Sequence, residues 1–223
     1  MSVEIELRAA RVRYGPLEAL HGLDLPVPAG TVTVLLGRNG AGRTTALRAL
    51  AGTVRLSSGR VVWHGADVTR LPPHARARRG LCFVPDLRAV YEGLTVAENL
   101  ALTVPDAPAP EVTAPYPELV PLLSRSAGTL SGGERRMLAL SRALLRPARV
   151  VLVDEPSLGM APPVAAHTYG LLAALAVEHG TAVVLAEQRV PAGLPRGSLV
   201  HELRRGTRAA SGEPHEFADG PTG

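Results

Sequence analysis

Two runs, Val150-Val151-Leu152-Val153 and Thr181 to Leu185, are almost free of polar positions. A strand covered on both faces loses the alternation of a half-exposed one, so apolar, β-branched runs of this length predict parallel strands inside a sheet. Thr31 to Leu36 has the same character and ends at glycine, with a helical stretch following through Leu50 and Ala51. Leu81 to Val84 predicts a further short buried strand. Val164 to Glu178 is rich in Ala and Leu, and Gly180 just beyond it is a helix stop. Val3 to Val12 alternates imperfectly and predicts an edge strand of a small N-terminal sheet, with Gly59 to Trp63 as another of its strands. Strands and helices in alternation predict an α/β fold with a mainly parallel core sheet.

Two regions lack this order. Prolines at 105, 108, 110, 115, 117 and 121 exclude a long helix, because each removes a backbone donor and clashes with the preceding turn. Only Glu118 to Ser124 leaves room for a short helical turn. Beyond Gln188, the segment Val190-Pro191-Ala192-Gly193-Leu194-Pro195 is again too broken for a helix. Residues 131–145 are amphipathic, with Met137, Leu140 and Leu144 on one face and Arg135, Arg136 and Arg142 elsewhere. No internal repeat is visible. No run approaches the ~18 apolar residues that cross a bilayer, so any membrane role is expected to come through a partner.

Length and composition narrow the picture further. A chain of 223 residues is expected to be one domain with a sizeable core. Aromatics are scarce, so that core must be built from Leu, Val and Ala. All 24 basic residues are arginine and none is lysine, a bias that matters below. The mildly positive balance fits an anionic nucleotide or an acidic lipid surface, and equally an ordinary solvated surface. Cys82 stands alone, which excludes an internal disulfide and fits a reducing compartment. Met1 to Glu6 lacks a charged-then-apolar signal pattern, so a cytoplasmic protein is expected.

The chemistry sits in three blocks. Gly37-Arg38-Asn39-Gly40-Ala41-Gly42-Arg43-Thr44-Thr45 matches the phosphate-binding P-loop G-x-x-x-x-G-K-[ST], with arginine at the lysine position. Its N–H groups can turn inward around an anion, its glycines let the backbone approach phosphate, and the next helix adds a favourable dipole. Thr44 would place its hydroxyl on Mg²⁺. Arg43 keeps the positive charge, but its planar guanidinium is wider and more directional than an ammonium. Nucleotide binding is therefore expected to survive, and transition-state stabilisation to suffer.

The second block is the strand 150–153, which delivers Asp154 and Glu155 to the sheet edge. Asp154 suits a Mg²⁺-organising carboxylate, and Glu155 a general base that orients the attacking water. The third block, Leu130-Ser131-Gly132-Gly133-Glu134, opens a helix. The S-x-x-E spacing of a capping box explains Ser131 and Glu134. The paired Gly132 and Gly133 add exposed N–H groups that suit an anion.

In this order the blocks resemble the ATP-binding subunit of an ABC transporter, most closely the branched-chain amino acid transport ATP-binding proteins. Phe83-Val84-Pro85, Gly93 to Leu100, Gly128 to Gly133, Asp154 to Ala161 and Leu185-Ala186-Glu187-Gln188 carry the closer match. The resemblance implies a P-loop NTPase fold with a small N-terminal antiparallel β subdomain and, near residues 100–145, a shortened helical subdomain. It implies ATP and Mg²⁺ as ligands, Tyr14 stacked on adenine, Asp86 as the residue that senses Mg²⁺ and contacts the transmembrane partner, and Gln188 at the switch position. It further implies head-to-tail pairing, in which each ATP lies between one chain's P-loop and the other chain's signature loop, Ser131 to Gly133. Transmembrane permease subunits and a second ATP-binding subunit, identical or related, are the implied partners, with no nucleic acid. The implied location is the inner face of the cell membrane.

The chain departs from the family at four places. Arg43 replaces the P-loop lysine, and Asp86 replaces a longer Gln or Glu. Gln188 stands at the usual histidine, as is common in the branched-chain subfamily. The stretch from Leu102 to Gly128 is short and proline-rich. Two readings stay open: an ATPase subunit energising import of branched-chain amino acids or a similar solute, and a degenerate half-site partner with little hydrolysis of its own. A soluble ABC protein of translation or repair is disfavoured, because duplicated cassettes and long insertions are missing.

Overall fold

The structure, a computed structural model, describes residues 2–86, 89–105 and 107–217. Its strands are β1 (Val3–Tyr14), β2 (Leu17–Pro28), β3 (Val32–Leu36), β4 (Ser58–Trp63), β5 (Ala66–Asp67), β6 (Leu81–Val84), β7 (Val150–Asp154), β8 (Ala182–Glu187), β9 (Leu199–Arg204) and β10 (Thr207–Gly212). The helices are α1 (Arg43–Ala51), α2 (Pro73–Arg78), α3 (Val96–Ala101), α4 (Ala109–Thr113), α5 (Gly132–Leu144) and α6 (Pro162–His179). Among the described residues, β2-β1-β4-β5 form an antiparallel sheet. A second sheet runs β10-β9-β3-β8-β7-β6, parallel except at the edge strand β10.

The apolar runs are the centre of this second sheet, and every residue of β3, β7 and β8 is buried. Successive side chains point to opposite faces. Leu152 and Val184 join Leu47 and Leu50 of α1 and the inner face of the N-terminal sheet. Val151, Val153 and Val183 join Leu138 and Leu140 of α5 and Leu172 of α6. The result is a mixed α/β fold, as the alternation of elements predicts.

One expectation needs correction. β1 is not an edge strand, because it pairs with β2 on one side and β4 on the other. Its alternation is imperfect because the register shifts between Leu7 and Ala10, where Ala9 has φ 44° and donates its N–H to Asp24 Oδ1 at 2.8 Å. A bulge of this kind bends a strand without ending it. Residues 190–195 form no helix, as their prolines dictate, and beyond them β9 pairs in parallel with β3 and turns back into β10. Buried His201 and Glu202 hide that strand from a hydropathy reading. Between the prolines lie five-residue α4 and a 3₁₀ turn, Pro117–Leu122, close to the short turn expected there.

Arg76 of α2 fixes the far end of α1. It is 1% exposed, and its guanidinium donates to the carbonyls of Ala49, Leu50, Val68, Thr69 and Leu71. Burial pulls its pKa down to about 10, so it remains a cation at neutral pH. Helix C-terminal carbonyls lack intrahelical partners, and a buried cation both satisfies them and suits the negative end of the dipole. Arg76→Met should therefore lower stability by about 3–5 kcal/mol, the range for stripping buried charge-assisted bonds. Urea unfolding measures this; a loss within about 0.5 kcal/mol, as for surface substitutions, would contradict it.

Candidate functional site

β3, β8 and β7 end at one edge of the sheet, with Leu36 opposite Glu187 and Asp154 opposite Ala186. Two backbone bonds continue the ladders past the strand ends: Gly37 N–H donates to Glu187 O at 3.2 Å, and Glu155 N–H to Ala186 O at 3.0 Å. The glycine loop, the carboxylate pair and Gln188 therefore meet in one place. After a turn closed by Ala41 N–H on Arg38 O (3.1 Å), the loop enters α1 at Gly42. Gly42 has φ 103°, and a Cβ would meet Ala19 O and Leu20 Cδ2 at 3.0 Å, so the position needs glycine. No side chain caps this helix start, and the N–H groups of its first turn have no intrahelical acceptors. Such a terminus suits an anion.

These groups face a cleft of about 730 Å³. Of the sequence-predicted residues, Tyr14, Asn39, Gly40, Ala41, Gly42, Arg43, Thr44, Thr45, Asp86, Asp154, Glu155 and Gln188 line it. Gly37 lies buried behind the loop and Arg38 on its outer surface, so neither lines the cleft. Tyr14 is 41% exposed at the mouth, beside Leu17, Glu18, His21 and Arg205, which the sequence reading did not single out.

Ser131, Gly132 and Gly133 do not line the cleft of their own chain. Ser131 caps α5 in a complete capping box: Glu134 N–H donates to Ser131 Oγ at 3.2 Å, and Ser131 N–H to Glu134 Oε2 at 2.7 Å. A Cβ on Gly133 would stand 2.7 Å from Gly159 O, so packing against the loop after β7 requires that glycine. Gly132 has open space, and packing does not explain it.

Arg43 does not extend into open solvent. It is 6% exposed, and its Nη2 donates to Glu155 Oε1 at 3.1 Å and to Asn39 Oδ1 at 3.4 Å. Gln188 Nε2 donates to the same Glu155 oxygen at 3.2 Å. Arg43 Nη1 is buried with no partner. Glu155 has φ 50°, a conformation that costs a non-glycine residue on the order of 1–3 kcal/mol and that clusters at functional sites. Burial pushes the Asp154 carboxyl above its usual range; the Thr44 hydroxyl and the Arg43 charge oppose that, while Asp86 and Glu155 add to it. Asp154 Oδ2 is buried and unpartnered. A bound cation would relieve both conditions, so the donor set fits a metal.

Arg136 is a correction and an addition. It is buried rather than turned away from the core, and its guanidinium donates to the carbonyls of Pro85, Asp154 and Pro156. It thus ties α5 to both segments that carry site carboxylates. Nothing in the helical periodicity marks it. Glu187, at the end of β8, was also missed, although a glutamate closing an apolar strand is itself a signal.

A parallel sheet that presents an uncapped helix start and strand-end carboxylates at one edge defines the P-loop nucleotide-binding class. Comparison with known proteins narrows this: the ABC transporter family model matches residues 20–158. The probable branched-chain amino acid transport ATP-binding protein LivF of Archaeoglobus fulgidus is 33% identical over 213 residues, covering 92% of this chain and 90% of the relative. The high-affinity branched-chain amino acid transport ATP-binding protein BraG of Pseudomonas aeruginosa is 36% identical over 200 residues, covering 86% and 85%. The sulfate/thiosulfate import ATP-binding protein CysA of Mycolicibacterium paratuberculosis is 35% identical over 229 residues, which are 99% of this chain and 62% of that one. Among solved structures, a nucleotide-free ATP-binding cassette from an ABC transporter superposes with TM-score 0.80 at 23% identity, covering 95% and 92%. A dimeric bacterial ABC transporter cassette does so with TM-score 0.82 at 20%, covering 94% and 98%. The chain belongs to the ABC transporter family, as an ATP-binding subunit. No helix among the described residues is long and apolar enough to cross a membrane.

The site carries a measurable pH signature. Glu187 is 8% exposed, and burial lifts its pKa from 4.5 to about 7; Tyr169 and Arg43 oppose the shift and Glu155 adds to it. Between those values the folded chain keeps a proton that the unfolded chain has released. This contribution is therefore complete below pH 4.5 and lost as pH rises through 7. Glu187→Gln cannot titrate, so from pH 5 to 8 its stability relative to the parent should improve by about 2–3 kcal/mol. Urea unfolding of both at the two pH values checks this, and an unchanged difference would refute it.

Proposed function

We propose that this subunit binds Mg-ATP between its own P-loop and the signature loop of a second ATP-binding subunit, and that hydrolysis at its own site is slow. The observation that carries the reading is the Arg43 guanidinium on Glu155 Oε1. The oxygen that accepts from Arg43 is the one Gln188 also holds, so the guanidinium occupies the carboxylate position that an attacking water would need. Residues 1–223 are read as one nucleotide-binding domain, with about 100–145 as its shortened helical part.

Each side chain then has a role. Gly40, Gly42 and the first turn of α1 receive phosphate oxygens, and Tyr14 offers its ring to the base. Thr44, Asp154 and Asp86 would hold Mg²⁺, which supplies positive charge at the transferring phosphoryl group. No cluster of three or more His, Cys, Asp or Glu able to hold a metal occurs among the described residues. Mg²⁺ suits such a sparse set because it keeps waters and substrate phosphates as ligands. Glu155 and Gln188 would orient the attacking water. Import of branched-chain amino acids through a permease is the favoured task, because LivF and BraG match over nearly their whole lengths. The Arg43–Glu155 pair equally favours a second reading, in which this chain mainly serves its partner's site.

Turnover by the purified chain should be slow, and Arg43→Lys should raise it by about tenfold or more, equivalent to ~1.4 kcal/mol of barrier. Phosphate release measures this; brisk turnover that falls on Arg43→Lys would overturn the reading. Ser131→Arg should leave Mg-ATP binding by the monomer nearly intact and block ATP-driven closure of the complex, because the signature helix meets the partner's nucleotide. Ligand-induced thermal shift and dimer formation read the two effects. Loss of binding by the lone monomer would show that the loop acts on its own chain's site.

A further inference from the structure

Beneath Glu155 and Gln188 runs a polar link that phosphate binding does not require. Tyr169 of α6 places its hydroxyl on Glu187 Oε1 and 2.9 Å from Ser157 Oγ. Ser157 follows Glu155 by two residues, and Glu187 immediately precedes Gln188. One phenol therefore joins the segment that carries the carboxylate to the segment that carries the amide donating to it.

A phenol has a single proton, so it cannot donate to both partners. It satisfies all three groups by donating to Glu187 Oε1, which can accept whether or not the carboxyl carries a proton on its other oxygen, while accepting from the Ser157 hydroxyl. Burial raises the Tyr169 pKa, so the ring oxygen keeps its proton across the physiological range. Apolar side chains would fasten α6 to β8 at lower cost than a buried carboxylate. Hydrogen bonds add direction, which apolar contact does not.

We propose that Tyr169 is a positioning residue for ATP turnover: through Glu187 and Ser157 it fixes the angle at which Gln188 meets Glu155. This rests on the reading of Glu155 and Gln188 as the pair that orients the attacking water. Arg43 and Gln188 donate to the same oxygen of Glu155, and Tyr169 bonds residues within two positions of Glu155 and Gln188 along the chain.

The test uses the full chain carrying Arg43→Lys, with kcat and KM for Mg-ATP measured by phosphate release. Tyr169→Phe should lower kcat about fivefold or more with KM within about twofold, since a small misplacement affects the transition state more than ground-state binding. In a Gln188→Ala background the same change should cost less than about twofold further, because groups acting as one unit are not additive. Glu187→Gln, whose amide oxygen still accepts from the phenol, should keep most of the rate, and Glu187→Ala should reproduce the loss if Tyr169→Phe folds poorly. An unchanged kcat in Tyr169→Phe, or an equal loss with and without Gln188, would overturn the inference. Turnover indifferent to Glu155→Gln would overturn the reading of the pair, and this inference with it. Turnover abolished by Glu155→Gln but untouched by Tyr169→Phe would sink the inference alone.

Discussion

The position of β8 between β3 and β7 is the constraint on which the site depends. Its end offers Glu187 O to the first glycine of the phosphate loop and Ala186 O to Glu155. Both ladders are parallel and fully buried, so a slip of one residue would swap side chains fitted to one close-packed core with those fitted to the other. Burial of this kind makes the relative placement of loop, carboxylates and switch residue a property of the whole fold. Arg76 at one end of α1 and Arg136 between α5 and β7 extend the constraint by satisfying carbonyls that would otherwise be unpaired.

Within that frame one side chain pulls binding and hydrolysis in opposite directions. Arg43 has five donors in a flat fork. Its Nη2 meets Glu155 and Asn39, while its Nη1 is buried with nothing to donate to. An unpaired buried donor costs about 1–3 kcal/mol, which a phosphate oxygen arriving in the cleft would remove. The same guanidinium holds the carboxylate that would activate water. A lysine ammonium, a compact point charge on a flexible stem, need not make that contact. Because the chain contains no lysine anywhere, this chemistry is imposed by arginine alone.

Most of what positions the site was legible in the sequence, because buried parallel strands leave unbroken apolar runs and the glycine loop and carboxylates follow them directly. What escaped were features that depend on contacts distant along the chain. β1 reads as an edge strand until β2 and β4 are seen pairing on either side of it, with Asp24 holding the bulge that breaks its alternation at Ala9. β9 carries a buried histidine and glutamate, and Arg136 is buried because carbonyls from two other segments reach it. Gly133 reads as an anion-binding residue, whereas its neighbour Gly159 supplies a packing reason for it. That the Arg43 guanidinium turns onto Glu155, 112 positions away, could not be read from the loop motif.

The central claim is that Arg43 and Glu155 restrain each other before nucleotide arrives. A double-mutant cycle with Arg43→Met and Glu155→Gln, read by the affinity for a non-hydrolysable ATP analogue with Mg²⁺, tests it most directly. Glu155→Gln removes the negative charge that holds the guanidinium, so it should tighten binding by about three- to tenfold more when Arg43 is present than when it is Met, a coupling of ~0.7–1.4 kcal/mol. Equal changes in the two backgrounds would mean that the pair does not act on the site, and the account would be wrong at its centre.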